Sequence, residues 1–466
     1  MGETPRAETI GQLRSSGHER ESVRRELRRN LLARVRSGRP LLPGLVGYEE
    51  TVVPQIANAL LSGHDLILLG ERGQAKSRIM RSLVELLDVE TPVIAGCEIN
   101  DHPYAPVCRR CRDLVAERGD ESPVAFLPRA RRYGEKLATP DISIADLIGE
   151  VDPIRVAEGR YLADELTIHF GLVPRCNRGI FALNELPDLA ERIQVGLLNI
   201  MEERDVQIRG YVIQLPLDLV VVASANPEDY TSRGRIITPL KDRFGSQVRT
   251  HYPLSIAEEI EIIDQEAAPA PDGVEVLVPG FMKEIVAEIT HLARRSPHIS
   301  QTSGVSVRMS IANAEILTAN SVRRAARLDE SLAVPRISDI AFLAASTAGR
   351  LEIEALDEGR EEQVLERIQR AAVGAVFSRH FAAGQLENLV ARFEEGEMVE
   401  VGEALPAAGY ARLLDSTGEV TAALKRLRLP DRSEVRASVA ELLLEGLHLA
   451  KRLNKDEMNG KFLYRR

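Results

Sequence analysis

Eight consecutive residues carry the clearest chemistry in this chain: Gly70, Glu71, Arg72, Gly73, Gln74, Ala75, Lys76 and Ser77. Their spacing follows G-x-x-x-x-G-K-[ST], a loop whose backbone N–H groups cradle phosphates. Lys76 would reach the β- and γ-phosphates and the Ser77 hydroxyl would hold Mg²⁺. Ala75 stands where the second glycine belongs, and its methyl is a small intrusion provided that residue sits at negative φ. Further along, Asn184 and Glu185 close an apolar run. A phosphate-loop ATPase needs an acidic pair there, the first member ordering the Mg²⁺ shell and the second activating water. Glu185 suits the second task. Asn184 keeps an acceptor oxygen for the first but lacks the charge. Asn226 follows another apolar run and offers an amide that could hold water against the γ-phosphate.

A second constellation lies at Cys97, His102, Cys108 and Cys111, which hold three of the four cysteines. The C-x₂-C pair has the spacing of a zinc knuckle, and Cys97 with His102 would complete a tetrahedral Cys₃His site stapling a small insertion. Two other readings stand beside it. The cysteines are also suited to small buried apolar positions. Alternatively, Cys108 and Cys111, flanked by Arg109, Arg110 and Arg112, form a redox pair of lowered pKa.

The elements that must position these groups are legible from periodicity. The run 66–69 reads as a strand feeding the loop, and Ile79, Leu83, Leu86 and Leu87 as the helix after it. Residues 91–95 read as a strand. Residues 179–183 and 219–223 are wholly apolar, as expected of central parallel strands. Between them, 186–203 reads as an amphipathic helix and 205–215 as a hairpin. Helical periodicity returns at 256–266, 281–295, 306–325, 335–348, 361–377 and 424–453, with Arg308 near a helix start.

Composition narrows the function classes. The chain of 466 residues carries a net charge of −10, with 44% hydrophobic, 28% charged and 4% aromatic residues and no Trp. Its length suggests about three domains. Negative charge and scarce aromatics argue against a general nucleic-acid binder. The first 39 residues differ, with ten Arg against five Glu. Within them, Val23, Leu27, Leu31 and Val35 predict an amphipathic helix whose basic face is read chiefly as solvated surface. No apolar stretch reaches 18 residues, and neither a signal peptide nor a membrane span is expected. Four cysteines in so long a chain suggest a reducing, cytoplasmic setting.

Taken in order, these residues resemble the AAA+ ATPases, and within them the magnesium-chelatase I-subunit and MoxR branch, over roughly residues 45–348. The most specific stretch runs from Gly171, Leu172 and Val173 through Arg178 and Gly179 to Glu185. Ala225, Asn226, Pro227 and Glu228, then Leu240, Lys241, Asp242, Arg243, Phe244 and Gly245, resemble that branch's sensor and arginine-finger segments. The residues Ala138 to Asp141 and Leu147 to Asp152 resemble the approach to its helix-2 insertion.

The resemblance implies an α/β fold. A P-loop NTPase core of parallel sheet flanked by helices occupies residues 41–252, with the Cys/His insertion at 97–145. A basic helical arm at 1–40 precedes it; an α-helical lid at 253–350 and a helical region at 351–466 follow. It also implies that Lys76 and Ser77 bind ATP and Mg²⁺, that Glu185 is the catalytic carboxylate and Asn226 sensor 1, that Arg243 is an arginine finger acting in a neighbouring subunit, and that Arg308 is sensor 2. The implied activity is ATP hydrolysis by a homo-hexameric ring that remodels a client protein, which by resemblance carries a von Willebrand A domain. Three alternatives stand beside it: a magnesium-chelatase subunit inserting Mg²⁺ into protoporphyrin, a nucleotide-binding scaffold with little hydrolysis, and an enhancer-binding transcriptional activator, whose signature loop is missing.

Overall fold

The computed structural model describes residues 6–152, 165–202, 205–208, 211–227, 235–271, 273–300, 304–353, 360–410, 418–458 and 461–466. The chain divides into two compact units, residues 1–251 and 252–466.

The first unit is built on a five-stranded sheet: β1 (Leu66–Leu69), β2 (Tyr133–Leu137), β3 (Gly179–Asn184), β4 (Leu219–Ala225) and β5 (Ser246–Arg249). Its spatial order is β5-β1-β4-β3-β2, and every neighbouring pair is parallel. All six residues of β3 and all seven of β4 are buried. Strands covered on both faces have no polar side to show, which explains their unbroken apolar sequence. Each fully buried Val, Leu or Ile contributes about 1.5–3 kcal/mol.

The strand expected over residues 91–95 is present as Glu90–Ile94. Glu90–Ile94 does not enter the parallel sheet; it pairs antiparallel with Val124–Pro128 in a separate ribbon. The strand beside β3 is instead β2, inside the stretch assigned to the insertion. Its residues Tyr133, Glu135 and Lys136 are polar because β2 lies at the sheet edge, where hydrophobic patterning is weakest.

Helix α1 (Val23–Arg36) begins at Ser22, whose side chain accepts from the Arg25 N–H. Its apolar residues Val23, Leu27 and Leu31 join a core with β1 and with α2 (Val52–Ser62). Its charges face the domain as well as solvent. Glu26 pairs bidentately with the buried Arg132 at 2.7 and 2.6 Å. Arg24 grips Asp65, and Arg29 meets Glu21 and Asp88. Arg24 and Glu26 therefore tie the helix to the residues just before β1 and β2.

The second unit is helical, with one core drawn from residues on both sides of Leu351. It contains α7 (Ile256–Glu266), α8 (Gly280–Arg295), α9 (Val307–Leu328) and α10 (Glu361–His380). The segment expected as one helix over 424–453 is two, Gly418–Leu427 and Ser433–Leu449. Pro430 lies between them, and a residue without an N–H cannot continue a helical ladder. An antiparallel hairpin, Asn454–Met458 with Lys461–Arg465, closes the described chain and has no counterpart in the sequence reading. Among the described residues no helix is long and apolar enough to cross a membrane.

Candidate nucleotide site

The loop Gly70–Ala75 leaves the end of β1 and enters α3 (Lys76–Ser82). Its shape is set by side chains of its own and of neighbouring strands. Gln74, which is buried, accepts from the Glu71 N–H at 3.1 Å and from the Thr250 hydroxyl at 2.8 Å. A methyl on Gly70 would fall 1.9 Å from Thr250 Oγ1, so only glycine fits that approach. The Tyr48 hydroxyl lies 2.9 Å from the Gln74 carbonyl and 2.7 Å from that of His251. The segment before α2 thus braces the loop from behind. Ala75 departs from the expected backbone: φ is +53°, in the left-handed region. A Cβ there costs about 1–2 kcal/mol, and the methyl is accommodated by packing against the apolar core around β1.

Lys76 is buried and folded back over its loop. Its Nζ donates to the Gly70 carbonyl, to the Glu71 carbonyl at 2.7 Å and to Asn226 Oδ1 at 2.7 Å. Asn226 directly follows β4, and Asn184 ends β3. Ser77 Oγ donates to Asn184 Oδ1 at 3.0 Å, as does Ser224 Oγ at 3.2 Å. Three strand ends and one helix start therefore bring Lys76, Ser77, Asn184 and Asn226 together, from positions up to 150 residues apart.

Glu185 sits at φ +57° and ψ +47°, another left-handed conformation. Its N–H donates to Ser224 Oγ at 3.1 Å. Strain of this kind, about 1–3 kcal/mol, gathers at sites where a side chain must be aimed. Among the described residues the Glu185 carboxylate makes no hydrogen bond. Next to the loop lies a cleft of about 430 Å³ lined by Gly70, Glu71, Gln74, Pro227, Lys241 and Arg249 among others.

One residue of this constellation escaped the sequence reading. Glu135, on β2, accepts from Asn184 Nδ2 at 2.6 Å and from Arg81 at 2.7 and 2.8 Å. The Arg81 guanidinium holds its carboxyl below the usual range against the opposing effect of burial. Glu135 places a carboxylate one hydrogen bond behind Asn184, where a charge was missing. The signal would have been an edge strand parallel to β3, which polar residues concealed.

Arg243 closes α6 (Thr238–Arg243), and its guanidinium pairs with Glu202 at the end of α5 (Glu191–Glu202). It is exposed and lies outside the Lys76 cluster. Glu228 and residues 209–210 lie outside the described residues. Arg308, in the second unit, is exposed in the first turn of α9.

The cysteine cluster requires a correction. Cys97, Cys108 and Cys111 converge, but the fourth member is Asp101 rather than His102; one ligand atom from each lies within 4.8 Å of the others. His102 Nδ1 instead accepts from the Tyr104 N–H at 3.0 Å, and its ring stacks on His18 at 6.0 Å. Burial, then the charges of Arg178, His18 and Arg20, push His102 down to about 3. The Cys97 thiol is pushed down to about 3 by hydrogen bonds from Cys108 and Cys111, while burial, then the charge on Cys97, raises Asp101 to about 6. All four cysteines of the chain are free.

The strand order, the loop and the convergence of Lys76, Ser77, Asn184 and Asn226 define a nucleotide-binding core of the AAA+ fold. No family model matches the chain. It is 27% identical over 247 residues to the magnesium-chelatase subunit ChlI-2 of Arabidopsis thaliana, covering 50% of this chain and 54% of that one. Against the ChlI subunit of Nephroselmis olivacea it is 27% identical over 245 residues, covering 49% and 62%. The chain spans about half the length of the curated relatives it matches. Among solved structures it is similar to a chain in the complex between subunits BchI and BchD of magnesium chelatase, at 21% identity and TM-score 0.36, covering 69% of this chain and 97% of that one. Over about half of its length the chain is thus similar to magnesium-chelatase I subunits.

Proposed function

We propose that this chain is a ring-forming motor that hydrolyses ATP with Mg²⁺ and uses the cycle to remodel a partner protein. The observation that carries the reading is the 2.7 Å bond between Lys76 Nζ and Asn226 Oδ1, beside Ser77 and Asn184. It joins the group that would meet the phosphates to the group that would sense them. Mg²⁺ would be held by Ser77 with Asn184 behind it, and would neutralise charge on the transferring phosphoryl group. Lys76 would exchange its loop carbonyls for phosphate oxygens. Glu185 would orient water, and Arg243 would supply positive charge to a neighbouring subunit's site once released from Glu202. Arg308 would act as sensor 2.

A ring of six, a cytoplasmic setting and a client with a von Willebrand A domain belong to the same proposal and rest on the family resemblance. A second reading, the ATPase subunit of a magnesium chelatase, is favoured by the names of the relatives, and the solved complex of BchI with BchD would make a D-type subunit its partner. A scaffold with little turnover is favoured by Asn184, which brings no charge to the Mg²⁺ shell.

The test is Mg²⁺-dependent phosphate release. Lys76→Ala should abolish nucleotide binding, whereas Glu185→Gln should bind ATP and stop turnover. A Glu185→Gln protein stalled with ATP should retain its client from native lysate. Absence of turnover by the wild type with every partner offered would leave the scaffold reading standing.

A further inference from the structure

The loop that joins the ribbon strand Glu90–Ile94 to α4 (Arg109–Arg118) gathers Cys97, Asp101, Cys108 and Cys111. Asp101 is wholly buried. Its Oδ2 accepts from the N–H groups of Val107 and Cys108 at 3.0 and 2.9 Å, which fixes the carboxylate plane. Its Oδ1 is buried and has no hydrogen-bond partner. An acceptor sealed from water without a donor is costly, and a cation is one way to satisfy it. Around it stand three sulfurs, two of which accept backbone N–H groups. Cys97 Sγ accepts from the Asp101 N–H at 3.2 Å, and Cys108 Sγ from the Cys111 N–H at 3.4 Å. Cys108 also caps α4, a helix of ten residues.

We propose that Cys97, Asp101, Cys108 and Cys111 bind one Zn²⁺ ion in tetrahedral geometry. Three thiolates and a carboxylate are a borderline-soft set of the correct number for a closed structural zinc site. Zn–S bonds of about 2.3 Å place sulfurs about 3.8 Å apart in a tetrahedron, inside the 4.8 Å within which the four ligand atoms already lie. A cubane iron–sulfur cluster spreads its ligands over separate irons and needs a wider ring of sulfurs. A Cys108–Cys111 disulfide would leave Asp101 Oδ1 as unsatisfied as before.

The ion has a mechanical role. Asn177 Nδ2 donates to the Ile99 carbonyl at 3.0 Å, and Asn100 Nδ2 to the Arg175 carbonyl at 2.7 Å. Asn177 Oδ1 in turn accepts from the Asp218 N–H at 2.8 Å, next to the start of β4. The metal loop thus grips the turn that launches β3, the strand that ends in Asn184 and Glu185. Zinc would set that turn without touching nucleotide.

Metal analysis of the full chain, purified under reducing conditions without chelators, tests this independently of ATP turnover. The expected content is about one zinc per chain. Replacement by Co²⁺ should give the thiolate-to-cobalt charge-transfer band of a tetrahedral sulfur-rich site. Asp101→Ala and Cys108→Ser should lose most of the metal and melt at lower temperature, whereas His102→Ala should keep about one equivalent. The wild type decides independently of how Cys108→Ser folds: chain that takes up no zinc on reconstitution, with every thiol freely titratable, overturns the proposal. Native protein with a Cys108–Cys111 disulfide overturns it too, as does iron with visible absorption in place of zinc. Metal lost from His102→Ala but retained by Asp101→Ala overturns the ligand set.

Discussion

The phosphate loop and the cysteine loop have the same outline and opposite chemistry. Each leaves a short strand, turns at a left-handed glycine (Gly73 in one, Gly96 in the other) and enters a helix. In the first, a lysine bends over the turn and side chains hold its form from outside, which suits an anion. In the second, backbone N–H groups are turned onto sulfur and carboxylate, which suits a cation. The difference lies in what supplies the ligand set. The anion site uses backbone and adjacent residues, so its spacing is fixed in sequence. The cation site uses side chains whose convergence depends on how the loop closes.

The two sites also differ in completeness. All four cluster ligands come from one chain, whereas the proposed catalysis needs Arg243 from a neighbour. Arg243→Ala should therefore bind ATP almost normally, keep its metal and hydrolyse about 10³–10⁵-fold more slowly. Mixing it with Lys76→Ala protein should restore activity, since some interfaces then pair an intact Lys76 with an intact Arg243. A mixture that stays inactive despite demonstrated subunit exchange would make Arg243 a surface ion-pair partner of Glu202 and nothing more.

That contrast also explains what the sequence disclosed. The phosphate loop, β3, β4 and the helices of the second unit were legible because local spacing or unbroken burial specifies them. Histidine has a familiar place in zinc patterns, so the spacing points to His102 and gives Asp101 no signal. Only the fold shows His102 turned to Tyr104 and Asp101 turned inward. The edge strand β2 was hidden by Glu135 and Lys136, and with it Glu135 itself. The φ of Ala75 has no signal in the residue type, because a left-handed alanine is imposed by the loop and its packing around β1.

A middle-sized effect concerns the charge missing at Asn184. Asn184→Asp would put a carboxylate beside Ser77, and turnover should rise by up to about tenfold at limiting Mg²⁺, about 1.4 kcal/mol of barrier. The new charge would face Glu135 across 2.6 Å, so the double variant Asn184→Asp, Glu135→Gln should exceed the single one. If Asn184→Asp lowers Mg²⁺ affinity, the arrangement of Glu135 behind a neutral amide is itself the working design.

Glu135 gives the comparison a pH dependence. Arg81 depresses its folded carboxyl pKa, so the folded state binds its proton less readily than the unfolded chain. The resulting stability is present above the unfolded carboxyl range and is lost as pH falls through the folded value. Glu135→Gln should therefore flatten the acid limb of a Tm-against-pH curve while changing Tm little at neutral pH, because Glu135 and Arg81 are partly exposed to solvent. An acid limb identical to the wild type would show that Arg81 and Glu135 do not hold each other in solution.

The smallest effect separates backbone from ligand in the phosphate loop. Relieving Ala75 of its left-handed φ by Ala75→Gly should return about 1–2 kcal/mol. The extra freedom of glycine in the unfolded chain takes back about 0.5–1 kcal/mol. The net is a gain within about 1 kcal/mol, or a rise of about 2–4 °C in Tm for a unit of this size. ATP affinity should stay within about twofold, because the Ala75 methyl packs toward the core around β1. A large gain in affinity would mean that the methyl crowds the phosphates after all, and that the chain holds nucleotide weakly by construction. Calorimetric titration of both proteins, with Tm measured on the same samples, distinguishes the two.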